Sequence, residues 1–277
     1  YRPLDIRWLY NNERFIDRSR PELQAVWGDG NVCLYTMAGG VGAGPALWCH
    51  GLLPDYHAFR GSYGGYAFPL YDNRPGHGPH NLRPALLAAL SAAYGAEIAP
   101  EAAFDAILCL LSARSYSLRF AEDLEDVFPH IPFPADPETF REAAGLGSEI
   151  RAVETSARAP AARPDAFARV ETRPAGPVGE PRYEDGRTVL CENGSGEISG
   201  VPHEIWTFSV SGYPVLQRWL SGRKGLEADF TLVTEFRDIC ARIAELLELF
   251  AEADSVLDRA VAESLTREAL ALDTEPR

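Results

Sequence analysis

The first part of the chain alternates short apolar runs with turns rich in glycine, proline and asparagine. Runs with β-branched or aromatic side chains lie at residues 1–10, 32–37, 46–49 and 64–71. Short runs bounded by turn residues predict β-strands. Ser19 followed by Pro21 is typical of a helix start, with the serine as the cap. We therefore expect residues 1–75 to form a strand-rich region.

The next part of the chain places apolar residues three and four positions apart, which is the spacing of one helix face. Such stripes begin after Pro84 and recur over residues 104–111, and further helical patterns follow at 116–124 and 137–153. We therefore expect residues 76–156 to form a helical block.

The last part of the chain begins with residues 157–181, which are rich in alanine, proline and arginine and predict a long loop. The pattern then predicts strands at 188–191 and 205–210, and helices at 213–220 and 234–250. We expect residues 182–255 to contain these strands and C-terminal helices, and residues 256–277 to form a polar tail.

These patterns together predict a mixed α/β (α+β) fold. Its strand-rich N-terminal and C-terminal parts are bridged by the helical block, and a long helix follows near the C-terminus. Because the strands predicted at 64–71 and 205–210 are both aromatic and bounded by turns, we expect the two strand regions to share or abut one core. Trp206, Tyr213 and Trp219 are large apolar residues that we expect inside that core.

Composition narrows the class of protein. The 277 residues include five scattered cysteines and no C-x-x-C pair, which favours reduced thiols in a cytoplasm over a disulfide framework. No apolar run is long enough to span a bilayer, and no signal peptide precedes the first strand. The start at Tyr1 suggests a fragment, a processed product or a trimmed chain.

A search for catalytic motifs finds none. The chain has no phosphate-binding loop, no dinucleotide fingerprint, no G-x-S-x-G elbow and no Pro-Pro methyltransferase motif. His77 and His80, and the group Cys49, His50 and His57, lack the second half of a zinc-ligand pattern. We therefore expect no catalytic residue and no metal site.

The charge pattern identifies candidate DNA contacts. The net charge is −14, but residues 151–225 carry a net +1, while the acid is concentrated in two helical stretches at 115–126 and 237–254. Arginine on loops can bind guanine or phosphate with two hydrogen bonds. Seven candidates follow: Arg158, Arg163, Arg169, Arg173, Arg218, Arg223 and Lys224. We expect the acidic helices to face away from them.

Four stretches resemble one known family. The stretch GVPHEIWTFSVSGYPVLQRWLSGRKG at 200–225 is similar to the hallmark of the C-terminal specificity domain of type ISP restriction-modification enzymes. YRPLDIRWLY at 1–10 resembles that family's junction with the methyltransferase domain. GGYAFPLY at 64–71 and SYSLRFAEDLEDVFPHIPFP at 115–134 also match in order and spacing.

The resemblance implies sequence-specific recognition of double-stranded DNA within a longer polypeptide. That polypeptide would carry an adenine-N6 methyltransferase domain as a partner, and S-adenosylmethionine, ATP and Mg²⁺ would be bound only by its upstream domains. This chain alone would then be neither an enzyme nor a cofactor carrier. Two alternatives stay open: a protein-interaction or coupling domain that does not bind DNA, and a small stand-alone enzyme.

Overall fold

The computed structural model describes residues 2–8, 21–59, 64–161, 163 and 166–272. Eight α-helices fall within these residues: α1 (Pro21–Val26), α2 (Pro84–Tyr94), α3 (Pro100–Ser112), α4 (Arg114–Arg119), α5 (Pro137–Glu154), α6 (His203–Trp206), α7 (Val215–Ser221) and α8 (Phe230–Ala262). The predicted helix start near Pro21 is confirmed, whereas its expected cap, Ser19, lies outside the described residues.

Nine strands form three antiparallel sheets in the same part of the chain. They are β1 (Cys33–Thr36), β2 (Leu47–His50), β3 (Tyr66–Pro69), β4 (Arg169–Val170), β5 (Val178–Glu184), β6 (Arg187–Cys191), β7 (Glu197–Ser199), β8 (Ser209–Val210) and β9 (Tyr213–Pro214). Their spatial orders are β2-β1-β3, β4-β7-β6-β5 and β8-β9.

The helical layer is organised around the contact between α3 and α5. A Cβ atom at Gly147 would lie 1.8 Å from the Asp105 carbonyl oxygen, so only glycine allows this approach. Arg151 on α5 donates two hydrogen bonds to the Asp105 carboxylate on α3, at 2.7 and 2.9 Å. Burial raises the pKa of Asp105, and the Arg151 guanidinium opposes that rise. The two helices are thus locked by one close contact and one ion pair.

Helix α8 packs along the helical layer for its full length. Its N-terminus is capped by Asp229, whose carboxylate accepts a hydrogen bond from the Leu232 amide at 2.8 Å. The helix extends to Ala262, and Val256 and Leu257 are fully buried near its end. The expectation of a polar tail from residue 256 is therefore wrong as far as Ala262, because an apolar stripe continues on the inner side.

One hydrophobic core joins both strand regions to the helices. Its buried members include Tyr35 on β1, Leu108 on α3 and Leu190 on β6. The mixed α+β fold with a long C-terminal helix is therefore confirmed, and the two strand regions share a core as expected. The three large residues predicted inside it, Trp206, Tyr213 and Trp219, are all buried.

Two predicted elements differ near the N-terminus and in the helical block. Arg2 and Asp5 form an isolated bridge around a turn and residues 6–8 are irregular, so the described residues 2–8 contain no strand. The helix predicted over 116–124 ends earlier, at Arg119, and a 3-10 turn follows at Asp123–Glu125. The reason is that the carbonyls of Leu124 and Glu125 turn to accept hydrogen bonds from the Val41 and Gly40 amides.

Two more predictions differ in the C-terminal part. The loop predicted over 157–181 contains β4 and the start of β5. The strand predicted over 205–210 is α6 followed by β8, because consecutive buried residues Ile205 and Trp206 pack as one helical turn.

All five cysteines are buried and free of disulfides. Within the described residues, no helix combines the length and the apolar character that crossing a membrane requires.

Candidate nucleic-acid interface

The β5–β6 hairpin ends in an exposed turn, and Arg182, Glu184 and Arg187 beside that turn are exposed. Its strands are joined by Asp185 and Gly186, both of which have positive φ, at 46° and 81°. Two left-handed residues of this kind form the tight turn that suits the twist of a hairpin. A two-stranded ribbon has the dimensions of the DNA major groove. The hairpin therefore has the shape of a groove-binding element.

Strand register sorts the side chains of this sheet onto two faces. Glu184 pairs with Arg187, Arg182 pairs with Val189, and Val189 pairs with Glu197 on the next strand. Directly paired residues of antiparallel strands lie on the same face. The outer face consists of Arg169, Arg182, Glu184, Arg187, Val189, Glu197 and Ser199. The inner face carries Thr188, Leu190 and Ile198, which are buried.

Ion pairs and hydrogen bonds order the charged groups of the outer face. Arg187 lies 3.2 Å from Glu197, and the Arg187 side chain remains 67% exposed. Arg169 lies 2.6 Å from Glu171, whose carboxylate also accepts a hydrogen bond from the Ser199 hydroxyl. The Ser199 hydroxyl and the Arg169 guanidinium together lower the pKa of Glu171. These arginines are therefore held in place while their side chains stay accessible.

Both edges of the sheet add a cation beside the outer face. Segment 171–175 runs along β7 and the β6–β7 turn. The Glu171 and Thr172 amides donate hydrogen bonds to the Glu197 carbonyl, and the Asn193 side-chain amide donates one to the Ala175 carbonyl. This contact places the exposed Arg173 at one edge. At the other edge, Lys224 forms an ion pair with Glu180 of β5, and that hydrogen bond raises the pKa of Lys224.

Two of the predicted contacts lie elsewhere, against helix α8. Arg158 lies 2.6 Å from Glu245 and 3.0 Å from Glu149, and Arg163 lies 3.0 Å from Glu248. The expectation that the acidic helix at 237–254 faces away from all candidate arginines is wrong at these two positions. Packing of α8 on α5 brings its carboxylates to the loop that follows α5, so these cations are partly neutralised.

The last two predicted contacts, Arg223 and Arg218, differ sharply in burial. The Arg223 side chain is 11% exposed, lies 3.0 Å from Asp5 and stacks at 3.7 Å over the Trp219 ring. Burial lowers the pKa of Arg223, and the Asp5 carboxylate opposes that change. The Arg218 side chain is exposed and has no ion pair within the described residues. Geometry thus favours a structural role for Arg223.

Of the seven predicted cations, Arg169, Arg173 and Lys224 are brought together at the sheet. Arg182 and Arg187, which complete this surface, were not among the predictions. A signal was available in the sequence: Glu180, Arg182 and Glu184 alternate with less exposed residues at the period of a strand. Because residues 157–181 were predicted as a loop, the predicted boundary falls inside β5, and this alternation was not interpreted as a strand.

The chemistry of the outer face matches the edges of base pairs. Arginine can donate two hydrogen bonds to guanine O6 and N7, and glutamate can accept from cytosine N4. The sheet carries, on or beside its outer face, four arginines, one lysine and four glutamates: Arg169, Arg173, Arg182, Arg187, Lys224, Glu171, Glu180, Glu184 and Glu197. This surface is therefore suited to sequence recognition. Phosphate binding alone would favour a strongly positive face, and this nearly balanced surface is not one.

Comparisons with known proteins agree with this fold. Three similar solved structures are a nuclease-deletion mutant of the type ISP restriction-modification enzyme LlaGI with a DNA substrate mimic (17% identity, TM-score 0.66), a DrdV–DNA complex (18%, 0.67) and the ATP-dependent type ISP enzyme LlaBIII bound to DNA (16%, 0.67). The matches cover 91%, 96% and 96% of this chain, but only 20%, 28% and 18% of those chains. No curated protein matches the sequence.

At these identities the solved structures establish the fold, and the class of protein is defined by a family model. The family model of the type ISP C-terminal specificity domain matches residues 1–251. The chain therefore belongs to this family, and the resemblance of its four sequence stretches is confirmed.

Proposed function

We propose that this chain recognises a specific sequence of double-stranded DNA through the outer face of its four-stranded sheet. The observation that carries the proposal is the register that places Arg182, Arg187 and Glu184 on the exposed hairpin. Family membership and the DNA complexes of the three similar proteins support it. Arg169, Arg173 and Lys224 would contact phosphates or bases at the borders of this face.

The proposed contacts can be tested with the isolated chain. A pool of duplexes with a randomised central segment is selected for binding, and affinities are then measured for the preferred duplex and for a shuffled one. If Arg182 or Arg187 contacts a base, replacing it by alanine should cost about 1–3 kcal/mol, or about 5- to 150-fold in affinity, on the preferred duplex alone. Preference should relax at one base pair.

Arg141 provides a matched control. It is an exposed arginine paired with a glutamate, as Arg187 is, but it lies on α5 with Glu138. The variant Arg141→Ala should bind like the wild type. Equal weakening on every duplex, with a smaller salt dependence, would show phosphate contacts instead of base recognition. Unchanged affinity in both Arg182→Ala and Arg187→Ala would contradict the proposed interface.

We further propose that this chain has no catalytic activity of its own. Its parent would be an S-adenosylmethionine-dependent adenine-N6 methyltransferase and restriction enzyme, in which the methyltransferase domain is the partner of this domain. S-adenosylmethionine, ATP and Mg²⁺ would be bound by other domains of that polypeptide. Methylation of a duplex by the isolated chain would contradict this part of the proposal.

An exposed aromatic cluster supports a second candidate function, binding to another protein without DNA. The rings of Tyr66 and Phe68 on edge strand β3 lie 5.0 and 6.0 Å from the Phe128 ring, and all three are at least 37% exposed. The preceding stretch 122–126 carries four exposed acidic residues, which repel phosphates. Absence of duplex binding at low salt would favour this candidate.

A further inference from the structure

A cleft of about 670 Å³ opens on another side of the molecule. It lies where β2, α7 and α8 meet the end of α5 and the turn at residues 2–6, and none of its lining residues belongs to the outer face of the sheet. Small-molecule sites have volumes of about 300–1,000 Å³ and apolar walls with a few polar groups. Trp48, Trp219 and Ile239 supply such walls here.

Two polar side chains at the cleft have unused hydrogen-bonding atoms. His50 and Glu154 both line it, and each is 5% exposed. His50 Nε2 and Glu154 Oε1 have no hydrogen-bond partner within the described part of the chain. The other carboxylate oxygen, Oε2, accepts from the amide of Cys49, the residue before His50, at 2.6 Å. Buried polar atoms without a hydrogen bond are rare, and each one lowers the stability of the fold. Both atoms therefore require a hydrogen-bond partner.

Burial disfavours the charged form of both groups. Burial lowers the pKa of His50 to about 3 and raises the pKa of Glu154 well above its ordinary value, the latter against the stabilising Cys49 amide. A neutral imidazole and a protonated carboxyl can each donate or accept a hydrogen bond. Together they are complementary to a ligand edge with a donor and an acceptor.

The charges around the cleft disfavour an anionic ligand. Arg223 is paired with Asp5, and Arg242 is bound by Asp238 and by the Val153 carbonyl. The carboxylates of Glu235 and Asp238 remain 52% and 43% exposed among the lining residues. Arg2 also lines the cleft; its side chain is 41% exposed and lies 3.3 Å from Asp55. Each of the three lining arginines is therefore paired with a carboxylate, and a phosphate would meet exposed acid without an unpaired cation among these groups. The ligand should be neutral.

We propose that this cleft binds a neutral nucleobase, presented either by a free nucleoside or by a nucleotide turned out of a DNA duplex. Such a base has a planar apolar ring that suits the apolar wall at Trp48 and Ile239, whereas the Trp219 ring is covered by Arg223. Its edge carries the donor and acceptor that His50 Nε2 and Glu154 Oε1 require. The site is separate from the proposed DNA-reading face.

Titration of the 277-residue chain with adenosine, guanosine, cytidine and thymidine tests the proposal by calorimetry and NMR. At least one nucleoside should bind saturably at up to about 10 mM, with its monophosphate binding more weakly. His50→Phe should lower the affinity at least about tenfold, as expected for loss of a partner worth 1.4 kcal/mol. His130→Phe, which replaces an exposed histidine, is the matched control and should bind normally.

A second variant covers the case in which His50→Phe does not fold. Leu52 lies at the cleft and is 43% exposed, so Leu52→Trp fills the opening without changing the core, and it should remove binding. A duplex with 2-aminopurine opposite an abasic site separates the two sources. A fluorescence increase with the wild type, but not with Leu52→Trp, would identify a base turned out of DNA.

Two outcomes would overturn the proposal: no response to any nucleoside or to the 2-aminopurine duplex, or tighter binding of a monophosphate than of its nucleoside. Either result would leave the Arg182 and Arg187 test unaffected, because those residues lie outside the cleft.

Discussion

Replacement of Leu257 by alanine should destabilise the fold substantially, although this residue lies in the stretch that the sequence pattern assigns to a polar tail. Leu257 is fully buried near the end of α8. Helix α8 is held to α4 before and after this residue: Asp254 accepts hydrogen bonds from the Ser115 amide and hydroxyl at 2.8 and 2.7 Å, and Asp258 forms an ion pair with Arg119. The surroundings are thus fixed on both sides and can relax only partly around a cavity.

The expected loss follows from that rigidity. Buried leucine-to-alanine changes cost about 2.7–5.0 kcal/mol, and well-held sites lie away from the lower limit. We expect a loss of about 4 kcal/mol in the free energy of unfolding, measured by urea titration at an unchanged m-value. Ser255→Ala, at an exposed position two residues earlier, should change it by less than about 0.5 kcal/mol. A loss below about 1 kcal/mol for Leu257→Ala would show that this part of α8 is not packed as described.

Three further predictions concern buried charges and the buried histidine. Arg151→Met should lower the free energy of unfolding by about 3 kcal/mol, because the Asp105 carboxylate stays buried without its partner. In the same urea titration, Arg141→Met, which removes an exposed ion pair, should have little effect. Arg223→Ala should lower the free energy of unfolding, because the ion pair with Asp5 and the stacking on Trp219 are lost. It should leave the salt dependence of DNA binding unchanged, whereas a smaller salt dependence would show that Arg223 contacts phosphate. His50 has a lowered pKa of about 3 in the folded state. Its contribution to the free energy of unfolding is therefore complete above its unfolded pKa of 6.5 and is lost as the pH falls. Unfolding curves should show a loss of about 2 kcal/mol between pH 6.5 and 5 that is absent in His50→Phe.

Much of the fold follows from periodicity in the sequence. Strands β1, β2 and β3 lie at the predicted apolar runs, and α5 occupies the stretch predicted from its apolar spacing. Short elements with one exposed face were missed for a physical reason. Strand β5 contains Pro181 and presents Glu180, Arg182 and Glu184 to solvent, so its composition resembles that of a loop. Its strand character depends on pairing with β6.

The candidate site was less predictable because it depends on contacts distant in sequence. Arg223 and Asp5 are separated by 218 positions, yet their ion pair decides that Arg223 is buried. Similarly, Arg163 meets Glu248 only because α8 packs back on α5. Local composition can identify which cations exist, but the tertiary fold determines which of them remain accessible to DNA.

The net charge of −14 is compatible with DNA recognition if contact is confined to a balanced face. Charges farther away than the Debye length of about 10 Å at 0.1 M salt are largely screened, so acid of α8 or of residues 122–126 that lies beyond this distance from the bound DNA opposes binding only weakly. At the outer face, a DNA contact that uses the Arg187 or Arg169 donors now bound to Glu197 or Glu171 replaces an existing contact. On a non-target duplex, where only phosphates are available, that exchange adds little binding free energy. On a target duplex, guanine can accept from the arginine and cytosine can donate to the released glutamate. The same ion pairs that reduce non-specific attraction would therefore raise the ratio of specific to non-specific binding, which is the quantity that a specificity domain must provide.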